Sequence, residues 1–307
     1  MGNQEILCEE LSKVYSTSRK RKALDSINLK IPTRGIFSLI GMNGAGKTTL
    51  VRIMATQLEP TSGQASINGL DVMKDAKVLR ERIAIVPQEA RTVPWMTPKQ
   101  TVLSYLMWRG TAYADAKSKA TEVLEKVGLG EQENTLTRRL SGGMKRKVLV
   151  ATVLASDADI VFLDEPTTGL DPLSRRELWA FLEGLAKDKF LILTTHYLEE
   201  AEELATVIGV MHRGRMIAQG TLDELRATVK HQYSIMIAPG SDPPQVSRGS
   251  ITIGHTGEIQ ILTDEEEAYG VSRQLLEKGA KLSMRKISLN DIFFRLVNRS
   301  DQEASHA

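Results

Sequence analysis

The chain is predicted to fold as an α/β domain, a sheet layered with helices, followed by a second, smaller α/β domain. Three observations predict this. From residue 6 to about residue 226, short apolar runs alternate with longer amphipathic stretches, the pattern of buried strands and the helices that cover them. After Thr228 the texture changes to Gly, Ser and Pro over residues 238–250, which places a boundary near 230 and divides the chain into 1–230 and 231–307. The length of 307 residues and the 41% hydrophobic content suffice for one large core and one small one.

The elements follow in order. Residues 36–40 read as a short buried strand and 50–58 as the body of a helix. Residues 102–108 form a further helix, and 160–163 and 191–194 are two more strands with helical segments between them. In the second part, residues 251–262 read as a hairpin with Thr256-Gly257 at its turn. The acidic run Asp264 to Glu267 stands where a helix through Leu276 would begin, and carboxylates there are favoured by the helix dipole, so a capping role is preferred to a metal site. Phe293, Leu296 and Val297 recur at helical spacing and give the last helix an apolar stripe. There is no internal repeat.

Composition excludes several classes. Forty Lys and Arg stand against 38 Asp and Glu, so no strong field draws the molecule to nucleic acid or anionic lipid, and no nucleic-acid partner is expected. The single cysteine, Cys8, cannot close an intramolecular disulfide and suits a reducing compartment as a structural or incidental thiol. The N-terminus Met1-Gly2-Asn3-Gln4-Glu5 lacks the pattern of a secretory signal, and no apolar run approaches the length of a membrane span, so a cytoplasmic location is expected. The short basic run Arg19-Lys20-Arg21-Lys22 is read as a solvated hairpin tip rather than a lipid contact.

Two motifs carry chemistry. Gly41-Met42-Asn43-Gly44-Ala45-Gly46-Lys47-Thr48 fits the spacing G-x-x-x-x-G-K-[ST] between a predicted strand and a predicted helix. Glycines there let backbone N–H groups curl around phosphate oxygens at a helix N-terminus. Lys47 is then expected to reach the β- and γ-phosphates of ATP, Thr48 to ligate Mg²⁺, and Thr49 to add a contact to the α-phosphate. A plain glycine turn would need neither Lys47 nor Thr48. The second motif is Ile160-Val161-Phe162-Leu163-Asp164-Glu165, an apolar strand delivering two acids to the edge of a sheet. Asp164 suits the metal and Glu165 the role of base toward an attacking water, two tasks for adjacent carboxylates that point apart.

Between these motifs lies Leu140-Ser141-Gly142-Gly143-Met144, which resembles the signature sequence of ABC transporter ATP-binding subunits. Taken alone, a Ser-Gly-Gly segment could equally be a helix cap. The resemblance covers roughly residues 6–226 and implies a P-loop ATPase domain of ABC type with a helical subdomain, plus a small α/β C-terminal accessory domain. It implies that Tyr15 stacks on adenine, that Gln88 touches Mg²⁺ and the attacking water, and that His196 is a switch histidine. It further implies that Ser141, Gly142 and Gly143 grip the γ-phosphate and that Gly169-Leu170-Asp171 is a loop through which two subunits communicate. In such a family two subunits pair head to tail around ATP at the cytoplasmic face of a membrane and drive a separate permease, which the region after Gln88, with Trp95 and residues 102–108, would contact. Trp108 reads equally well as a buried anchor.

Met144 stands where the family commonly has Gln, and Met42 where it commonly has Pro or Ser; neither position supplies a side chain to phosphate. Met144-Lys145-Arg146-Lys147 and the C-terminal Ile287-Ser288-Leu289-Asn290-Asp291-Ile292-Phe293 resemble the branch of drug, antibiotic, lipid and sodium exporters. A soluble ABC ATPase acting on ribosomes or chromosomes would carry two cassettes, a long coiled coil or a zinc insert, none of which this sequence shows. A third reading makes residues 231–307 a regulator- or effector-binding module.

Overall fold

A computed structural model describes residues 5–16, 21–229, 231–239, 243–253 and 257–305. The expectations resting on Met1 to Gln4, on Arg19 and Lys20, and on Thr256 lie outside the described residues. The chain forms two compact units, Met1–Gln219 and Gly220–Ala307, a division ahead of the expected position near 230.

The first unit has two sheets. One is antiparallel and runs in the order β2 (Arg21–Pro32), β1 (Glu5–Tyr15), β4 (Ser62–Ile67), β5 (Leu70–Asp71). The other has six strands in the order β10 (Arg215–Gly220), β9 (Val207–His212), β3 (Ile36–Ile40), β8 (Phe190–Thr195), β7 (Ile160–Asp164), β6 (Ile83–Val86). From β9 to β6 its neighbours are parallel, so their C-terminal ends share one edge, and the residues after them converge there.

The alternation of side chains along a strand sends successive residues to opposite faces and so builds two cores. Val161 and Leu163 of β7, with Leu191 and Leu193 of β8, enter the core formed with the helices α3 (Pro98–Trp108), α4 (Tyr113–Lys126), α5 (Gly142–Leu154) and α6 (Pro172–Leu185). Ile160 and Phe162, with Phe190 and Ile192, enter the other core, shared with the antiparallel sheet, α1 (Lys47–Met54) and α2 (Ala76–Arg82). These strands are buried on both faces, which is why the sequence shows them as unbroken apolar runs. The helix expected over 50–58 stops at Met54 because Thr56 takes a left-handed φ of 59°, which an α-helix cannot continue. Trp108 is 80% exposed and Trp95 74%, so Trp108 is not a buried anchor.

The second unit opens with α8 (Leu222–Ala227), whose capping box is formed by Thr221 and Glu224. An antiparallel sheet follows in the order β12 (Ser250–Ile253), β13 (Ile259–Thr263), β11 (Tyr233–Ile237), β14 (Leu282–Lys286). The expected hairpin is β12 with β13. The expected acidic helix is α9 (Glu265–Glu277), capped by the Asp264 carboxylate, which accepts from Glu267 N at 2.9 Å. Ala268, Val271 and Leu275 of α9 pack on Ile235, Ile237, Ile259 and Ile261. The last helix, α10 (Leu289–Ser305), buries Phe293 and Val297, half-buries Leu296 and leaves Phe294 exposed. It packs beside α8, where Arg226 Nε donates to Ile287 O at 3.1 Å. That packing places α8 in the second unit and explains the earlier boundary.

Candidate functional site

The phosphate loop leaves β3 and enters α1 as the sequence predicts. Gly44 and Gly46 hold φ values of 80° and 107°, a region in which a side chain is strained. A Cβ on Gly46 would stand 2.5 Å from Ala23 O, and one on Gly41 2.5 Å from Met211 O, so both glycines are also required by close backbone approach. Lys47 folds back to donate to Gly41 O at 2.7 Å and Met42 O at 3.3 Å. Burial lowers its pKa, while Glu165 and Asp164 oppose that shift. Gly41 and Met42 enter the site through these carbonyls. The Met42 side chain is 57% exposed.

The strand-end carboxylates are held in different ways. Asp164 Oδ1 accepts from the Thr194 hydroxyl and, at 3.3 Å, from the Thr48 hydroxyl, which joins the two motifs. Glu165 N donates to both Thr194 O and Thr194 Oγ1. Glu165 takes a φ of 51°, strained by about 1 kcal/mol for a residue with a Cβ, and this turns its side chain out of the strand direction. Its Oε2 accepts from Gln88 Nε2 at 3.0 Å and Thr168 Oγ1 at 3.1 Å, and His196 Nδ1 lies 3.2 Å from its Oε1. Gln88, Glu165 and His196, separated widely in sequence, therefore meet at one carboxylate.

A cleft of about 310 Å³ opens over the loop, lined by Asn43 to Thr49 with Tyr15, Gln88 and Glu165. The Tyr15 hydroxyl stands 3.4 Å from Thr49 Oγ1. Its ring is aromatic surface at the cleft wall. Arg21 lines this cleft too, with Nη2 3.1 Å from where a Cβ on Gly44 would lie. Arg21, exposed at the end of β2 where it pairs with Tyr15, also borders the rim of the phosphate loop.

Ser141, Gly142 and Gly143 are placed elsewhere. Ser141 caps α5, accepting from Met144 N at 3.1 Å, and the helix opens at Gly142 rather than at Met144. Gly142 lines a second cleft, of about 750 Å³, with Gln88, Arg91, Lys145, Arg146, Glu165 and Thr168. The signature segment is thus not part of the wall around its own chain's phosphate loop.

The sequence reading missed Arg146, Thr168 and Thr194. Arg146 is 8% exposed and donates to the main-chain carbonyls of Asp164 at 2.6 Å, Glu165 at 3.0 Å, Pro166 at 3.1 Å and Pro87 at 3.5 Å. Burial lowers its pKa, and the charges of Asp164, Glu165 and Glu200 counter that shift. The one available signal was helical phase, three residues beyond the Gly143 that packs on Leu170. Nothing in the sequence marked the two threonines.

A glycine cradle at a helix N-terminus, a buried lysine and a strand-end pair of acids define a P-loop nucleotide hydrolase. The family model described as ABC transporter matches residues 24–168. Over 309 residues the chain is 34% identical to the daunorubicin resistance ATP-binding protein DrrA3 of Streptomyces coeruleorubidus, with 97% of each chain covered. It is 32% identical to the Nod factor export ATP-binding protein I of Paraburkholderia xenovorans (strain LB400), covering 96% of this chain and 98% of that one. A solved ATP-binding subunit of an ABC transporter superposes with a TM-score of 0.64 at 26% identity, over 73% of this chain and 92% of that one. The chain belongs to the ABC transporter family, as one of its ATP-binding, ATP-hydrolysing subunits.

Proposed function

We propose that this chain hydrolyses MgATP at the interface of a head-to-tail pair of subunits and so drives export through a separate membrane permease. The observation that carries the reading is the Glu165 carboxylate, held by Gln88, Thr168 and His196 at the mouth of the phosphate cradle. The export direction is supported by the relatives, a daunorubicin resistance protein and a Nod factor export protein. Among the described residues no helix is long and apolar enough to cross a membrane, so a membrane path needs another chain. The exposed Trp95 and Trp108 are surface for that contact at the cytoplasmic face.

Thr48 and Asp164 fit a magnesium ion: a hydroxyl and a carboxylate, both hard oxygen donors, converge within 3.3 Å beside the cradle. When bound there, the ion would supply charge neutralisation for the β- and γ-phosphates. The remaining chemistry belongs to the protein. Lys47 and the loop N–H groups hold the phosphates and Tyr15 takes the adenine face. Glu165 accepts the proton of the attacking water, and Gln88 and His196 fix the carboxylate's orientation. Gly142 lines a different cleft and none of Ser141 to Gly143 lines the cradle, which supports a second subunit supplying that segment to each site. ATP then acts as the adhesive, and loss of the γ-phosphate releases the pair.

Glu165→Gln tests this. The amide keeps the shape but cannot take the proton, so MgATP binding persists, turnover nearly stops, and ATP-dependent dimers accumulate in sedimentation. Turnover near that of the wild type would remove Glu165 from the role of base.

A further inference from the structure

Behind the turn that follows Glu165, polar side chains are buried around one carboxylate. Glu200, in the first turn of α7 (Leu198–Leu204), has no exposed surface. Its Oε1 accepts from Trp179 Nε1 of α6 at 3.1 Å. Its Oε2 makes no hydrogen bond of good geometry among the described residues, and neither do Thr167 Oγ1 or Arg175 Nε, although Thr167 is also fully buried.

These atoms belong together. Burial pushes the Glu200 pKa up, while the Thr195 and Thr167 hydroxyls, the Trp179 indole and the Arg175 guanidinium act to hold it down. Three pieces of structure therefore address one carboxylate: the loop after Glu165 through Thr167, α6 through Trp179 and Arg175, and the end of β8 through Thr195. Arg175 also lies over the Tyr197 ring at 4.1 Å, the Tyr197 and His196 rings are 4.2 Å apart, and His196 reaches Glu165. A path thus runs from Glu165 through His196, Tyr197 and Arg175 to Glu200 and returns to Thr167, its last steps electrostatic.

A buried acid whose only task was to fill space would be matched or exceeded by an apolar side chain of the same volume. Buried donors and acceptors are ordinarily paired, and here the groups that face the acid come from three separate pieces of structure around Glu165. The loop 165–171 ends at Asp171, the N-cap of α6, so Thr167 and α6 are tied to the same turn.

We propose that Glu200 is a positioning residue for hydrolysis, which sets the 165–171 loop and the His196 segment in one register through Thr167, Thr195, Trp179 and Arg175. The inference rests on the ATPase reading above. It gives Glu200 no contact with nucleotide, so its removal acts on turnover rather than on binding.

The test measures steady-state ATP hydrolysis, equilibrium binding of a fluorescent ATP analogue and thermal unfolding on the full chain. The variants are Glu200→Ala, the near-isosteric Glu200→Gln, Thr167→Val and the Gln/Val double variant. Expected are a fall of about tenfold in kcat for Glu200→Ala and a smaller fall for Glu200→Gln, with KM and nucleotide affinity unchanged. The double variant should lose no more than its more damaged parent, since both substitutions disturb one contact. An unchanged kcat in folded Glu200→Gln and Thr167→Val, or losses that multiply in the double variant, would overturn the inference. A wild-type chain without turnover would overturn the ATPase reading and this inference with it, whereas an active wild type with unaffected variants overturns this inference alone.

Discussion

Arg146 shows what a single buried charge does when all its partners are main chain. Its guanidinium fixes the turn that follows β7 and hydrogen-bonds no carboxylate oxygen of Asp164 or Glu165, so it shapes the site by holding the backbone beneath it. Arg146→Ala removes the donor to four carbonyls in a dry environment and is expected to destabilise the fold by about 3 kcal/mol. Arg146→Lys keeps the charge but loses the fork and should slow hydrolysis more than it weakens nucleotide binding. Parallel binding and turnover measurements check this; equal losses in both would place Arg146 at the nucleotide instead. The residue was invisible in the run Lys145-Arg146-Lys147 because three adjacent cations look alike in sequence. Only the helix phase decides that Arg146 points under the turn, while Lys147 turns aside to pair with Glu177 at 2.5 Å. By contrast Lys47, Asp164 and Glu165 were legible, because their chemistry depends on fixed offsets from a glycine loop or a strand end.

Among elements, the beginnings were more legible than the ends. The phosphate-loop helix and α9 both start where the sequence places them, since glycine cradles and acidic caps are local signals. The early stop of α1 depends on the backbone of Thr56, which no local motif marks. In α9 the first-turn Glu267 does more than favour the dipole: its carboxylate accepts from Thr263 Oγ1, Ser247 N, Ser247 Oγ and Arg248 N. Burial pushes its pKa up, but these hydrogen bonds prevail and bring it from 4.5 down to about 2. A carboxyl depressed in the folded state stabilises the fold above its unfolded pKa, and that contribution fades as the pH falls from about 4.5 through about 2. Glu267→Gln should therefore be less stable than the wild type near neutral pH, with the gap closing across that window in denaturant titrations. A gap independent of pH would show that the hydrogen bonds to Glu267 do not require its charge.

On the scale of the whole molecule, every described residue placed at the phosphate cradle or at Glu165 lies in the first unit. A chain ended after Gln219 is expected to bind MgATP with an affinity similar to that of the full chain while its turnover or self-association changes. Loss of binding in a truncated protein that keeps its circular dichroism would make the second unit part of the nucleotide site. The texture change in the sequence falls inside the second unit and does not mark its first helix, because α8 is assigned by its packing beside α10 rather than by its own composition.

The separation of Ser141 to Gly143 from the cradle of their own chain has a consequence for mixed populations. A Lys47→Ala chain retains a sound signature segment, and a chain with Ser141→Arg retains a sound cradle. Each alone should be inert, since every site in a pair of identical chains joins a good half to a bad one. Mixed in one tube, the two should recover activity, because a hybrid pair sets the intact cradle of one chain against the intact signature of the other and so contains one whole site. Hydrolysis should peak at equal proportions and vanish at either extreme, a complementation curve that chains working singly cannot produce.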